Sequence, residues 1–497
     1  MERPPLVSWV AQIRGLGRVP VVDDNVVAVV VFDRLTRQYN LKIFSTEGGG
    51  LLREAALPAG GYASPAADSG RYYVANGFTR LTALDRRSLR EAWTRDFGRR
   101  VRSTPLPLGR QLLAVAGNFV ALLESDSGSI EVSTQDPSVG YFGAPLCDGH
   151  RFYLAGVGRD SGEAVCLVSA LDRQSLGLQW RTRIGPGVVV SSDTAGIALD
   201  GGRVYALSAD SGRPLWRAEI GGTAARCRPV VAGALVYVTT LQGRVAGIST
   251  EDGRVVFSQD LDPEGIWSPV AAGGGAVYVH AGNRVWSLDA GTGEPRWALP
   301  IGHAPYTSPV LAGDSLFICG GDPPDTAHLF KLRVGTPSPV AVRELGPWTV
   351  DYQAGRAELD LVIEREGRPV GLEEAFVDLR PLGGAEREPL REAATVAPGG
   401  GGREPREAPT YHVEARFGPD RAAGTYALLV GGRAGFERVW CAIELALQPP
   451  PGLPESHVVQ GVVPQVQKAP DGSGPASLAA LLAFYGKEAT QEEIAAM

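Results

Sequence analysis

Prolines recur along this chain at a fixed interval. Pro65, Pro105 and Pro145 are evenly spaced, and Pro229, Pro269 and Pro309 repeat the same spacing. A second marker keeps the same register in the segments VYALSADSGRPLW (204–216), RVAGISTEDGRVVF (244–257) and RVWSLDAGTGEPRW (284–297). Each places a glycine (Gly212, Gly253, Gly293) four residues before an aromatic (Trp216, Phe257, Trp297), with an apolar residue (Ile220, Leu261, Ile301) four later. A fixed period within the range of about 20–50 residues means one supersecondary unit used repeatedly, because each unit must bury its apolar faces against its neighbours.

The frame extends backwards through ALDRRSLREAW, ending at Trp93, and ALDRQSLGLQW, ending at Trp180, where Leu89 and Leu176 stand at the turn-glycine position. The interval from Pro145 to Pro229 holds one further unit, with Ser192 at the proline position, and Pro20 opens the first unit. Eight units then lie between about residue 6 and residue 345, each reading as four short strands. Four strands per unit predict the blade of a propeller. Trp9 and Ile13 copy the outer-strand spacing of Trp297 and Ile301, so residues 6–14 are expected to complete the last blade; SPVAVREL (338–345) competes for that place.

The 64 glycines and 37 prolines suit such a turn-rich β chain. With 48 Lys+Arg against 55 Asp+Glu, no basic surplus exists to bind a phosphate backbone, so nucleic acid is not an expected partner. No apolar run is long enough to cross a bilayer, and the first residues carry no export signal. The five cysteines are scattered and include no CxxC, so they read as small buried hydrophobes. The six histidines lack zinc-site spacing. The acidic DLDPEG (260–265) lacks the later glutamate of a calcium loop and reads as a turn.

These units, with their A-L-D-x-x-[SG]-x-x-x-W pattern, resemble the PQQ-like repeats of eight-bladed propellers. That repeat serves quinoprotein dehydrogenases and non-enzymatic scaffolds such as the outer-membrane assembly lipoprotein BamB. The dehydrogenase reading requires calcium ligands near the axis and, in well-known members, adjacent cysteines; no adjacent pair occurs here. The resemblance therefore implies a protein- or peptide-binding propeller with no cofactor.

From residue 346 the markers stop. Runs such as AELDLVIERE, TYHVEARFG, GTYALLVGGR and ERVWCAIELAL alternate as strands of a small sandwich, and GTYALLV resembles a late strand of a bacterial immunoglobulin-like module. Residues 385–409, rich in Gly, Pro and charge, are expected to form a loop within it. QPPPGLPESH (448–457) reads as an extended spacer.

The final segment, 458–497, includes SLAALLAFYG, with helical periodicity, and TQEEIAAM, with Thr490 and Glu493 placed as a capping box. The segment is similar to the opening of C39-like papain-fold cysteine peptidases, in which a Gln precedes the nucleophilic Cys by six residues and Gly-Pro-Ala follows it. Gln467 precedes Ser473 by six, and Gly474, Pro475 and Ala476 follow. By this resemblance Gln467 takes the oxyanion position and Ser473 the nucleophile position. A serine hydroxyl makes no ready ion pair with histidine, and the stretch from Ser473 to Met497 is too short to reach the family's His and Asp or Asn. For this chain Ser473 is expected to cap the helix that follows, which an inactivated or truncated peptidase domain also allows.

The expected organisation is mainly all-β: an eight-bladed propeller over 1–345, an immunoglobulin-like sandwich over 346–447, a linker over 448–457 and an incomplete, inactive peptidase-like segment with short helices over 458–497. A chain that opens inside an outer strand and stops after the first helices of a domain reads as a fragment. Since such modules are usually extracytoplasmic in bacteria, an envelope or secreted location is expected.

Overall fold

A computed structural model of the protein describes residues 3–448, apart from segments within that span of which 394–408 is the longest. The chain divides into a compact unit of residues 1–446 and a second of 447–497. The linker and helices expected beyond residue 448 lie outside the described residues.

Among the described residues, those up to Pro337 form eight antiparallel sheets of four strands, one of them with an extra short strand at its inner edge. They make a β-propeller. The third sheet shows the common plan: Leu106–Leu108, Gln111–Ala116, Phe119–Glu124 and Ile130–Gln135, paired in sequence order. Burial explains the residue choice along each strand. The second strand is buried on both faces, as in Gln111–Ala116 and Ala276–Ala281, and reads as a continuous apolar run. The fourth strand is covered on one face only, and Ile130–Gln135 is largely exposed. Each core cluster spans two neighbouring sheets; Leu113, Val115 and Leu122, for example, meet Phe152 and Leu154. A cluster of Trp9, Val29, Phe44, Phe317 and Leu329 joins the first sheet to the last and closes the ring.

In three sheets the turn between third and fourth strands is built by an aspartate whose carboxylate accepts from backbone N–H groups two and three residues on, and Ser45, Ser208 and Ser249 take its place in others. Asp85 takes those of Arg87 and Ser88, Asp172 those of Gln174 and Ser175, and Asp289 those of Gly291 and Thr292. The turn ends on a left-handed residue, Gly212, Gly253 or Gly293, against which the aromatic of the preceding sheet packs. The Trp93, Trp180 and Trp216 indoles donate to backbone carbonyls of Ser125, Ala209 and Thr250 in the next turn. Where a unit ends in an aromatic, that ring thus holds one sheet to the next.

Leu89 and Leu176 stand at this position with φ 55° and 56°, so leucine takes a conformation that favours glycine. Both face a preceding sheet that lacks the aromatic: Arg53 and Val132 occupy the place, four residues after Gly49 and Gly128. Arg53 donates to the Arg87 carbonyl in place of an indole.

Pro5–Gln12 pairs with His328–Pro337 and supplies the outer strand of the last sheet, with Trp9 opposite Lys331. The competing segment belongs elsewhere: Val340–Glu344 pairs with Arg356–Arg365, so the second module begins at Val340, ahead of the expected 346. The Ser338 N–H donating to the Pro4 carbonyl at 2.9 Å marks the crossing point.

The second module has two antiparallel sheets. One runs Val340–Glu344, Arg356–Arg365, Thr410–Arg416, Arg391–Ala393; the other runs Glu388–Pro389, Glu373–Asp378, Gly424–Ala434, Glu437–Leu447. Leu359, Leu361, Ile363, Val413, Leu428 and Ile443 are buried. The loop expected over 385–409 is interrupted by the strands at 388–389 and 391–393, which pair at the sheet edges, where exposed residues show no apolar alternation.

Candidate functional site

Because neighbouring strands run antiparallel, each sheet sends two kinds of connection to each end. One end carries the short turns between first and second strands and the aspartate turns. The other carries the turns between second and third strands and the loops that lead from one sheet to the next. These loops vary in length, from the long connection between Asp96 and Leu106 to the short one between Gln135 and Val139. The hairpin of Arg151–Asp160 and Glu163–Asp172 has longer strands than the hairpins of neighbouring sheets, so it stands beyond the rest at this end. A face of variable loops on a rigid ring is where a propeller recognises other molecules.

The repeated prolines meet on this face. Pro20, Pro65, Pro229, Pro269 and Pro309, at the starts of the innermost strands, line an axial cavity of about 430 Å³ with Val and Ala side chains between them. Its polar side chains are the hydroxyls of Ser64, Thr104 and Ser308. A redox quinone with calcium requires carboxylate or amide oxygens around the ion, and the described residues of this lining carry none. Among the described residues, no group of three or more His, Cys, Asp or Glu is placed to hold a metal. The described residues of the lining do not fit a quinone site.

The second module docks on the same face, over the seventh and eighth sheets. Arg284, beside the turn between second and third strands, makes a two-pronged ion pair with Glu444, its Nε 3.0 Å from Oε1. Asn283 Nδ2 donates to the same Oε1 at 2.9 Å, and the Trp348 indole donates to the Glu444 carbonyl at 2.7 Å. Alongside lies a buried charged group. Arg380 Nε donates to Asp378 Oδ1 at 2.9 Å, and its Nη2 lies 2.7 Å from His328 Nε2. The same His328 Nε2 lies 3.3 Å from Asp378 Oδ2, so the three side chains form one group. Burial alone would raise the Asp378 pKa, but Arg380 and His328 outweigh it and hold the carboxyl below its ordinary range. Leu429 of the second module joins Tyr278, Trp297 and Phe330 in one apolar cluster, so the two modules share a core. Nothing in the sequence marks His328, Asp378 or Glu444: each sits in an ordinary alternating strand, and their pairing exists only once the modules dock.

Gln467 and Ser473, the residues that the peptidase resemblance singles out, lie outside the described residues. Cys166 and Cys319 are buried, as expected, and burial pushes the Cys319 thiol up to about 12. Cys147 and Cys441 are half-buried instead. In the acidic turn at 260–265, Asp260 is held by Arg244, which leaves it engaged as a structural pair. No helix among the described residues is long and apolar enough to cross a membrane.

Curated relatives agree with the repeat. The chain is 26% identical over 301 residues to the outer membrane protein assembly factor BamB of Moranella endobia, covering 54% of this chain and 75% of that one. It is 31% identical over 172 residues to the BamB of Burkholderia pseudomallei, covering 32% and 42%. It spans only 40% and 37% of the BamB proteins of Legionella pneumophila and Xanthomonas campestris.

Among solved structures it is similar to the computationally designed Ika8 protein, with 11% identity, coverage of 66% and 100% and a TM-score of 0.54. It is also similar to the quinohemoprotein alcohol dehydrogenase ADHIIG of Pseudomonas putida HK5, with 12% identity, coverage of 70% and 80% and a TM-score of 0.55. At such identities the likeness speaks for the fold alone. The family described as outer membrane protein assembly factor BamB matches residues 37–141 and 166–323, just over half of the sequence, and the chain belongs to that family of PQQ-type repeat propellers.

Proposed function

We propose that the protein is a non-enzymatic scaffold of the bacterial envelope: an eight-bladed propeller that binds partner proteins on its loop-bearing face, with an immunoglobulin-like sandwich fixed to that face as a second contact surface. The observation that carries this reading is the axial cavity, whose described lining is proline, valine, alanine and three hydroxyls and, among the described residues, holds neither a nucleophile with its base nor a ligand set. The names of the BamB relatives, as assembly factors, support a partner among envelope proteins. The segment 458–497 is read as a peptidase-like opening in which Gln467 takes the oxyanion position and Ser473 the nucleophile position.

Chemical crosslinking of the full chain to envelope extract of its own bacterium, with the crosslinked residues identified by mass spectrometry, tests the proposal. Crosslinks concentrated on the loop-bearing face support it. Crosslinks confined to the aspartate-turn face, or dye reduction on adding the quinone with calcium, overturn it.

A further inference from the structure

The loop from the second to the third sheet carries the sequence FGRRVRS (97–103). Its anchor is Val101, only 2% exposed, whose side chain joins Ala75, Ala116 and Phe97 in a small core. The Val101 N–H donates to the Phe78 carbonyl at 2.7 Å, and the Phe97 N–H to the Thr79 carbonyl at 3.0 Å. With the loop pinned at these points, three arginines are held at the surface: Arg102 is exposed, and Arg99 and Arg100 are half-buried.

Aromatic rings lie among them. The Arg99 and Arg100 guanidinium groups each lie 5.9 Å from a ring centroid, those of Phe119 and Phe78 respectively. Phe78 is 50% exposed and sits at φ 50°, a backbone region that bulky side chains seldom enter. Burial of apolar surface and backbone preference both argue against a phenylalanine here, yet the turn presents one. Among the described residues no carboxylate pairs with Arg99 or Arg102; the neighbouring Asp96 is engaged by Arg80 and the Gly98 N–H. The whole chain carries a net charge of −7, so this patch is a local inversion of its surface charge.

From this we infer that the patch of Phe78, Phe119, Arg99, Arg100 and Arg102 is a docking site for an acidic peptide segment carrying aromatic or leucine side chains. The inference deepens the scaffold reading and rests on it. Arginine and aromatic residues together are the composition of interface hot spots, and a cluster of cations selects carboxylates by charge complementarity. An anionic membrane surface is the weaker match. Lipid-binding clusters hold about four to eight basic residues, and the second module, standing on the same face over sheets seven and eight, keeps that face from lying flat on a bilayer.

The test uses the full chain and a labelled synthetic peptide of alternating acidic and Phe or Leu residues, with a lysine-substituted peptide as its counterpart. Fluorescence anisotropy should show binding of the acidic peptide alone, weakening severalfold between about 50 and about 300 mM salt. Arg99→Glu with Arg102→Glu should weaken it by about tenfold or more. Phe78→Gly should weaken it too while leaving thermal unfolding unharmed, because glycine suits φ 50°. Equal binding of both peptides, unchanged affinity in these variants, or association with phosphatidylserine-rich vesicles in place of the peptide would each overturn the inference. So would self-association that the same variants abolish. If an envelope protein still crosslinks to the loop-bearing face of the charge-reversed chain, the scaffold reading stands and this patch assignment falls.

Discussion

The Trp93 ring lies over the backbone of Gly128 in the next sheet, and its indole N–H donates to the Ser125 carbonyl in the same turn at 2.9 Å. A β-carbon built on Gly128 would sit 2.6 Å from ring atoms of Trp93, at a φ of 68°. Gly128→Ala should therefore cost about 2–4 kcal/mol, combining a core clash with left-handed backbone strain. Thermal unfolding of the full chain measures this, and an unchanged midpoint would refute the proposed contact.

Leu89 and Arg53 test the same contact from the other side. Leu89 is 7% exposed and packs with Leu41, Leu57 and Tyr72, filling the space that an aromatic covers elsewhere. Leu89→Gly alone should destabilise by about 1–2 kcal/mol, since lost burial is partly offset by relief at φ 55°. Adding Arg53→Trp should recover part of that loss, because the ring then has a glycine to cover. A double-mutant cycle by denaturant unfolding gives the coupling, and strict additivity would contradict the pairing of these positions.

Such couplings explain how much of the fold can be read in the residues alone. Proline, the turn's aspartate or serine, glycine and the aromatic recur at fixed places in most units, so the repeat is visible without knowing what touches what. The junction is different. His328 and Asp378 come together through docking of two modules, and no local pattern distinguishes them from other strand residues. The boundary near 338 is equally hidden, because SPVAVREL alternates suitably for the outer strand of a sheet in either module. The basic aromatic patch lies between these extremes: FGRRVRS is conspicuous as a charge cluster, but the role of Val101 as its anchor appears only in three dimensions.

The buried ion pair at the junction should be costly to break. Asp378→Ala leaves Arg380 and His328 without their carboxylate in a site where Asp378 is 3% exposed. Loss of about 3–5 kcal/mol is expected. Limited proteolysis should then release the second module before the propeller is cut; a variant that unfolds in one step at the original midpoint would argue against the junction as a stability element.

Acid should weaken the propeller through its carboxylates. Arg296, with the Thr292 and Gly291 backbone N–H groups, lowers the Asp289 pKa to about 2. Asp136, which burial alone would raise, is lowered by Ser138 and Arg181. A depressed carboxyl contributes stability above its unfolded value of about 3.9, lost as pH falls through the folded value. The unfolding midpoint should stay nearly flat with respect to these groups above about pH 5 and fall steadily towards about pH 2. Asp136→Asn should lower the midpoint at neutral pH and flatten part of the acid-side slope, with calorimetry across this range as the check.

The strand that closes the ring imposes an order in time. Trp9 is synthesised long before its sheet partners in His328–Pro337, with nearly the whole propeller made between them. At synthesis rates of about 5–20 residues per second, that is a wait of roughly 15 to 65 seconds. Throughout it, Pro5–Gln12 has apolar side chains but no sheet to join, and the first sheet has one face uncovered. The ring-closing strand of a nascent chain of this kind stays unpaired until translation has passed the eighth sheet, so slower translation should lower the yield of closed rings before it affects their stability.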